Sequence, residues 1–281
     1  MRAALLNDWR SELQIENVAT PECPQDGVVL NVLACGICRS DWHAWTGSDG
    51  PLPFPHILGH EYCGVVEEIG SRVTKWKKGD RVIAPFILAC GHCNSCAAGN
   101  QTTCDEQILP GFNAPGAFAE YVAVPHAETN LTALPESMDE ALAASLGCRA
   151  TTAWHGLTGR AGLQGGEWLA IYGGGGVGVA ALLLGKALGA RVVVVDVVQD
   201  KLDYATKHGA DAVVDASKTD PVEAIREITS GGAHVSLEAL GFPETTVNSI
   251  KSLRKLGRHI QIGMPAGDHL NMEIPMDAVY S

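Results

Sequence analysis

Apolar residues follow two different rhythms along this chain. Up to about residue 150 they come in short Val/Ile/Leu runs, such as residues 28–33, 65–69 and 81–85, broken by Gly, Pro and Asp. Lys78-Gly79-Asp80 reads as a turn before a strand. That texture predicts a barrel-like β domain. From Gly166 onward short apolar strands alternate with helical stretches: a strand at 168–172, a helix at 177–188 and a strand at 191–195. Segments 200–208, 212–214, 221–229, 235–239, 243–256 and 259–262 continue the alternation. Strands apolar on both faces and separated by helices predict a parallel sheet covered on both sides, the doubly wound nucleotide-binding arrangement. A helical connection over 138–156 joins the halves, so the predicted domains are residues 1–149 and 150–281.

Composition narrows the class. The 281 residues carry a formal net charge of −12, which argues against nucleic acid or an anionic membrane as partner. The start, MRAALLNDWRSELQ, lacks the cationic head and apolar run of a secretory signal. The most apolar window, 177–188, is interrupted by Gly185 and Lys186 and falls short of the roughly 18–20 residues of a bilayer span. Nine cysteines without a signal favour metal ligation in a reducing, cytoplasmic setting over disulfides.

Four of those cysteines, Cys90, Cys93, Cys96 and Cys104, lie in CGHCNSCAAGNQTTC, within a lobe of about residues 88–106. The spacing predicts a closed all-thiolate shell, and zinc is the ion that suits it; a redox pair or disulfides is the alternative. A closed shell does no chemistry, so an open metal site is expected elsewhere. Gly173, Gly175 and Gly178 fit G-x-G-x-x-G between a strand and a helix, where backbone N–H groups meet a pyrophosphate. Asp196 ends the next strand, placed to bind ribose hydroxyls and to repel a 2′-phosphate. With Val197 and Val198 after it in place of Arg or Ser, NAD is expected over NADP.

Further segments resemble the zinc-dependent medium-chain alcohol dehydrogenases. Gly59-His60-Glu61-Tyr62-Cys63-Gly64, followed by Gly70 and Val73, is similar to that family's G-H-E-x-x-G-x5-G-x-x-V signature. Cys35-Gly36-Ile37-Cys38-Arg39-Ser40-Asp41 resembles its first-ligand segment and Leu146-Gly147-Cys148 its third. The resemblance implies a GroES-like β-barrel catalytic domain followed by a Rossmann domain. It also implies two zinc ions per chain, a catalytic one at Cys38, His60 and Cys148 and a structural one at the cysteine lobe. Cys35 competes with Cys38 as a ligand, although the family pattern uses the second cysteine. Two thiolates and a neutral imidazole would leave zinc near zero net charge with one open position.

Other roles follow only from the resemblance. Glu61 would approach the metal during ligand exchange, and Asp41 would fix the His60 ring. Ser40 would take the substrate proton and His43 would relay it; an exposed loop imidazole is the alternative for His43. Arg39 would contact the pyrophosphate, Thr152 and Val177 would flank the nicotinamide, and Lys201 would lie near the adenosine ribose. The implied reaction is reversible oxidation of an alcohol to an aldehyde or ketone with NAD⁺, in a homodimer or homotetramer. Cys23, Cys35 and Cys63 read as small buried hydrophobes, Trp42, Trp45 and Phe54 as packing or pocket residues, and Arg149 as a substrate contact or a solvated side chain. Two rivals remain: a zinc-free quinone or enone reductase of the same superfamily, and a non-catalytic zinc- and nucleotide-binding paralogue. The second gains weight because the family pattern continues past Ser281, so the chain is expected to lack the C-terminal segment that adds the sixth strand.

Overall fold

A computed structural model describes residues 1–48 and 50–280. The chain divides into one compact unit of Met1–Cys148 and a second that begins at Arg149. In the first, β1 (Arg2–Leu6), β2 (Gln14–Asn17) and β4 (His56–Ile57) form a small antiparallel sheet in the order β2-β1-β4. Strands β3 (Val28–Gly36), β5 (Glu61–Ile69), β6 (Arg81–Ile83), β7 (Tyr121–Val124) and β8 (Thr132–Ala133) form a larger antiparallel sheet in the order β7-β3-β5-β6-β8. On β3 and β7, alternate residues Val28, Leu30, Val122 and Val124 enter a core with Tyr62, Val66 and Val82, the two-residue period of a strand with one buried face. The strand expected at 65–69 reaches back to Glu61, because 61–64 pair with 32–36 of β3. The signature after His60 is therefore strand, not loop.

Short helices decorate this unit: α1 (Arg39–Thr46), α2 (Asn94–Ala97), α3 (Ala127–Asn130) and α4 (Glu140–Ser145). Asp139 caps α4 by accepting the Leu142 N–H. The helical path then widens into a π turn, Leu146–Ala150, returns to α in α5 (Thr151–Trp154), and widens again over His155–Arg160.

The second unit has five parallel strands, β9 (Trp168–Tyr172), β10 (Arg191–Asp196), β11 (Ala212–Asp215), β12 (Ala233–Glu238) and β13 (Leu253–Gln261), in the order β11-β10-β9-β12-β13. Helices α6 (Gly176–Ala187), α7 (Gln199–Lys207), α8 (Pro221–Thr229) and α9 (Pro243–Lys251) alternate with them. The central strands β9 and β10 are largely apolar because both of their faces are covered. Leu169, Ile171, Val192, Val194, Val235 and Leu237 fill one layer, while Ala170, Tyr172, Val193, Val195 and Val214 fill the other. Strand order reverses between β9 and β12, so the crevice at their C-terminal ends is the expected ligand position.

In the second unit a predicted helix is cut short. The helix expected at 243–256 stops at Lys251, and β13 starts at Leu253 instead of residue 259. Ile250, Leu253 and Leu256 repeat at helical spacing, but Leu256 has φ of 62° and is fully exposed on the edge strand.

Candidate active site

Three chain segments converge in the first unit. Cys38 follows β3 and caps α1; His60 precedes β5; Cys148 sits in the π turn after α4. Ligand atoms of Cys38, His60, Glu61 and Cys148 all lie within 4.8 Å of one another. The convergence follows from register. Gly36 pairs with Glu61, which sets the end of β3 beside the start of β5, and the Phe86 N–H bonds the Gly147 carbonyl at 3.0 Å. A π turn adds a residue per turn and re-aims one side chain, a geometry found often at functional sites.

Asp41 ties two of these segments together. Its carboxylate accepts the Cys38 N–H at 2.8 Å and the Gly59 N–H at 3.1 Å, and lies 3.1 Å from His60 Nδ1. Nδ1 is thereby committed, leaving Nε2 to face the sulfurs. His60 is 1% exposed, and its Nε2 is buried without a hydrogen-bond partner. Such an orphaned nitrogen is costly unless something else occupies its lone pair.

Charge at the site points the same way. The Cys38 thiol is pulled down to about 3, mainly by a hydrogen bond from Cys148, with His60 helping against the cost of burial. Burial opposes a charged His60 ring, yet Asp41 and Cys38 outweigh it and raise the group to about 9. Both shifts draw positive charge to the space between ring and sulfurs. Two sulfurs, one imidazole and a nearby carboxylate are a donor set that fits zinc.

Around this centre, Ser40 Oγ lies 3.8 Å from Cys38 Sγ. His43, half-buried in the last turn of α1, meets the Trp42 ring edge-on at 5.1 Å. The Arg39 guanidinium stacks on Trp42 at 3.7 Å. Trp45 donates to the Ser11 carbonyl, and Phe54 packs on Trp9 and around Leu6, Ala44 and Leu58, so both are packing residues. Sequence reasoning missed Phe86 and Phe112, whose rings flank His60 at 6.3 and 5.2 Å. No motif marks them, since sheet and loop packing alone brings them there. Of the spare cysteines, Cys63 is buried, while Cys23 and Cys35 are only partly so, which corrects the reading of all three as buried.

The second cluster is local. The sulfurs of Cys90, Cys93, Cys96 and Cys104 lie within 4.8 Å of one another. Backbone N–H groups of Cys90 and Glu106 point at the Cys104 sulfur, and that of Cys93 at the Cys90 sulfur, each at 3.3 Å. N–H groups pull the Cys93 thiol down to about 7, whereas burial pushes Cys96 up to about 12. Four such sulfurs packed together are compatible with full ionisation only around a cation, and their number and closeness fit a closed zinc shell. Asn130, also unforeseen, pins the lobe by exchanging hydrogen bonds with the Ala89 backbone and donating to the carbonyls of Pro125 and His126.

In the second unit the glycine turn joins β9 to α6 at the strand-order switch. A Cβ on Gly178 would fall 1.8 Å from the Gly173 carbonyl oxygen, so only glycine lets α6 start this close to the strand. Nothing lies within 4 Å of a Cβ built on Gly175, which leaves that face of the turn open. Asp196, 5% exposed, accepts the Gly174 N–H at 2.8 Å and the Val197 and Val198 N–H groups, with Lys201 Nζ at 3.3 Å. Burial alone would raise its carboxyl, but the backbone N–H groups and Lys201 hold it below the usual range. Val177 packs on the apolar layer beneath α6, and Thr152 is half-buried on α5. The Arg149 guanidinium lies against Gly176, where an added Cβ would sit 3.2 Å from it.

With this geometry in place, family models match over both units: an alcohol dehydrogenase GroES-like domain over residues 24–136 and a zinc-binding dehydrogenase domain over 176–279. An alcohol dehydrogenase of Geobacillus stearothermophilus is 36% identical over 268 residues, covering 94% of this chain and 78% of its own. The chain belongs to the zinc-dependent medium-chain alcohol dehydrogenases. Membership makes it an oxidoreductase with a GroES-like and a Rossmann part, and excludes neither nicotinamide cofactor. An alcohol dehydrogenase from Thermus sp. ATN1 superposes with a TM-score of 0.91 at 28% identity, covering 99% of this chain and 82% of that one. A zinc-binding dehydrogenase from Sinorhizobium meliloti 1021, solved bound to NADP, superposes with a TM-score of 0.90 at 31% identity, covering 99% and 81%. No helix among the described residues is long and apolar enough to cross a membrane.

Proposed function

We propose that this protein reversibly oxidises a small alcohol to an aldehyde or ketone with NAD⁺, using one catalytic and one structural zinc. The observation that carries the reading is the orphaned Nε2 of buried His60, facing Cys38 and Cys148 sulfurs that share its 4.8 Å cluster. Cys38, His60 and Cys148 would hold the catalytic ion; Cys90, Cys93, Cys96 and Cys104 would hold the structural one. When bound, zinc supplies a Lewis acid for the alcohol oxygen and the nicotinamide ring supplies the hydride acceptor.

The chain's own residues do the rest. Asp41 fixes the His60 tautomer and joins the Cys38 and His60 segments, so the donor set is preorganised. Ser40 Oγ, adjoining Cys38, accepts the proton the alcohol loses, and the half-buried His43 imidazole passes it to water. Glu61 is a fourth donor within the ligand cluster and serves during ligand exchange. Phe86 and Phe112 exclude water around His60.

On the cofactor side the open Gly175 face and the α6 N-terminus receive the pyrophosphate, with Arg39 as a further contact. Thr152 and Val177 flank the nicotinamide. Asp196 accepts the ribose hydroxyls. Its acceptor positions are all in use, so a hydroxyl displaces Lys201, the longest of the four contacts. A 2′-phosphate would meet that carboxylate, which supports NAD over NADP. The test is to incubate zinc-loaded protein with primary, secondary, polyol and aromatic alcohols and follow NADH and NADPH absorbance. NADH formation with at least one alcohol, and little NADPH, is expected. Absence of both from every alcohol would overturn the reading.

A further inference from the structure

A buried acid at the strand-order switch has no part in the chemistry above. Glu238, the last residue of β12, is fully buried. It pairs in parallel register with Tyr172, the residue before the glycine turn. Its two carboxylate oxygens accept from the N–H groups of Leu240 and Gly241 at 2.9 and 3.0 Å, from Thr245 Oγ1 at 2.7 Å and from Gln261 Nε2 at 2.6 Å. Gln261 also donates to the Gly263 carbonyl at 2.8 Å. One side chain thus fastens the turn after β12 to the turn after β13. The two turns touch backbone to backbone: a Cβ on Gly263 would fall 2.2 Å from the Gly241 nitrogen and 2.4 Å from Glu238 Oε2. Leu240 in turn closes on the fingerprint, lying 2.8 Å from where a Gly173 Cβ would be.

Placement gives this staple a purpose. Asp196 ends β10, on one side of β9, and takes the adenosine half of a dinucleotide. The pyrophosphate crosses at the glycine turn, so the nicotinamide half lies beyond it, over the ends of β12 and β13. Leu240, Phe242 and Met264 remain exposed there, at 36%, 48% and 38%, an apolar floor above a fully hydrogen-bonded carboxylate. Holding a buried acid without an ion pair needs all its donors. Loss of any one loosens both turns.

We propose that Glu238 is a positioning residue for the nicotinamide half of the cofactor, acting through the turns after β12 and β13. The inference rests on the NAD reading above and goes beyond it. Glu238→Gln sets an amide donor against donors, so the turns separate while the adenosine side is untouched. In equilibrium titrations of the zinc-loaded protein, NADH should bind about tenfold more weakly to this variant, whereas ADP should bind within about twofold of wild type. Ser252→Ala, which removes a buried hydroxyl bonded to Ser249 in the same unit, serves as the stability control and should leave both affinities unchanged. If Glu238→Gln does not fold, Thr245→Val removes one donor to the same carboxylate and should give the same split at about threefold. Equal weakening of NADH and ADP, or no weakening of either, would overturn the assignment. Wild-type protein that binds ADP but not NADH would also overturn it; wild type that binds neither would overturn the functional reading beneath it.

Discussion

Two clusters of cysteine and histidine differ in how the chain builds them. Cys90, Cys93, Cys96 and Cys104 are neighbours in sequence, and their lobe needs only short turns and backbone N–H groups to close. Cys38, His60 and Cys148 arrive from the end of one strand, the start of another and a widened helical turn. The local cluster uses sulfur four times; the assembled one mixes sulfur, imidazole and a nearby carboxylate. Each has a buried polar tether, Asn130 for the lobe and Asp41 for the assembled site. The lesson is that a cluster of like donors can be written into one stretch of chain. A cluster of different donors needs a sheet to hold its parts apart and together.

That contrast can be broken by removing ligands. Cys148→Ser should cut kcat by about a thousandfold or more and lower zinc from about two ions to about one per chain, while NADH affinity persists. Steady-state kinetics, metal analysis and an NADH titration check this, and full turnover would remove Cys148 as a ligand. Cys96→Ser should do the converse. The lobe should lose its ion and its order, costing several kcal/mol of apparent stability and exposing residues 88–106 to limited proteolysis. The assembled site should keep its zinc. Loss of both ions after this change would show the two clusters are not independent, and retention of both would remove Cys96 as a ligand.

The tethers sharpen the comparison at smaller amplitude. Asp41→Asn should weaken zinc at the assembled site by about 10–100-fold, the usual size for a partner that orients a ligand histidine, with the lobe unaffected in a competitive chelator titration. Asn130→Ala leaves the Ala89 backbone unpaired, should cost about 1–3 kcal/mol, and should hasten zinc release from the lobe alone. Equal effects of both tethers on both ions would erase the distinction.

How much of this was legible from residues alone follows the same division. The clustering of the lobe's four cysteines could be read directly because they are adjacent, and the glycine turn because a strand and a helix bracket it. Pro221–Thr229 was readable to the residue because Asp220 caps it and Pro221 fills its first position. His60 and Cys38 needed a motif, since spacing alone does not say that β3 and β5 pair with Gly36 beside Glu61. Phe86, Phe112, Asn130 and Glu238 carry no local signal, because partners distant in sequence define their roles. The false helical extension to 256 has a similar cause. Ile250, Leu253 and Leu256 repeat as on a helix, yet pairing of Leu253 with Ala233 decides for strand.

The separation of ligands along the chain also bears on the order of assembly. Cys90 and Cys104 are about 14 residues apart and Cys38 and Cys148 about 110, so closing the longer loop costs roughly 2 kcal/mol more chain entropy. A metal ion can therefore recruit the lobe early, from a nearly unfolded chain. The assembled site must wait until β3, β5 and the π turn are docked. Zinc offered during refolding should then be captured in two kinetic phases, the fast one local and the slow one set by the sheet.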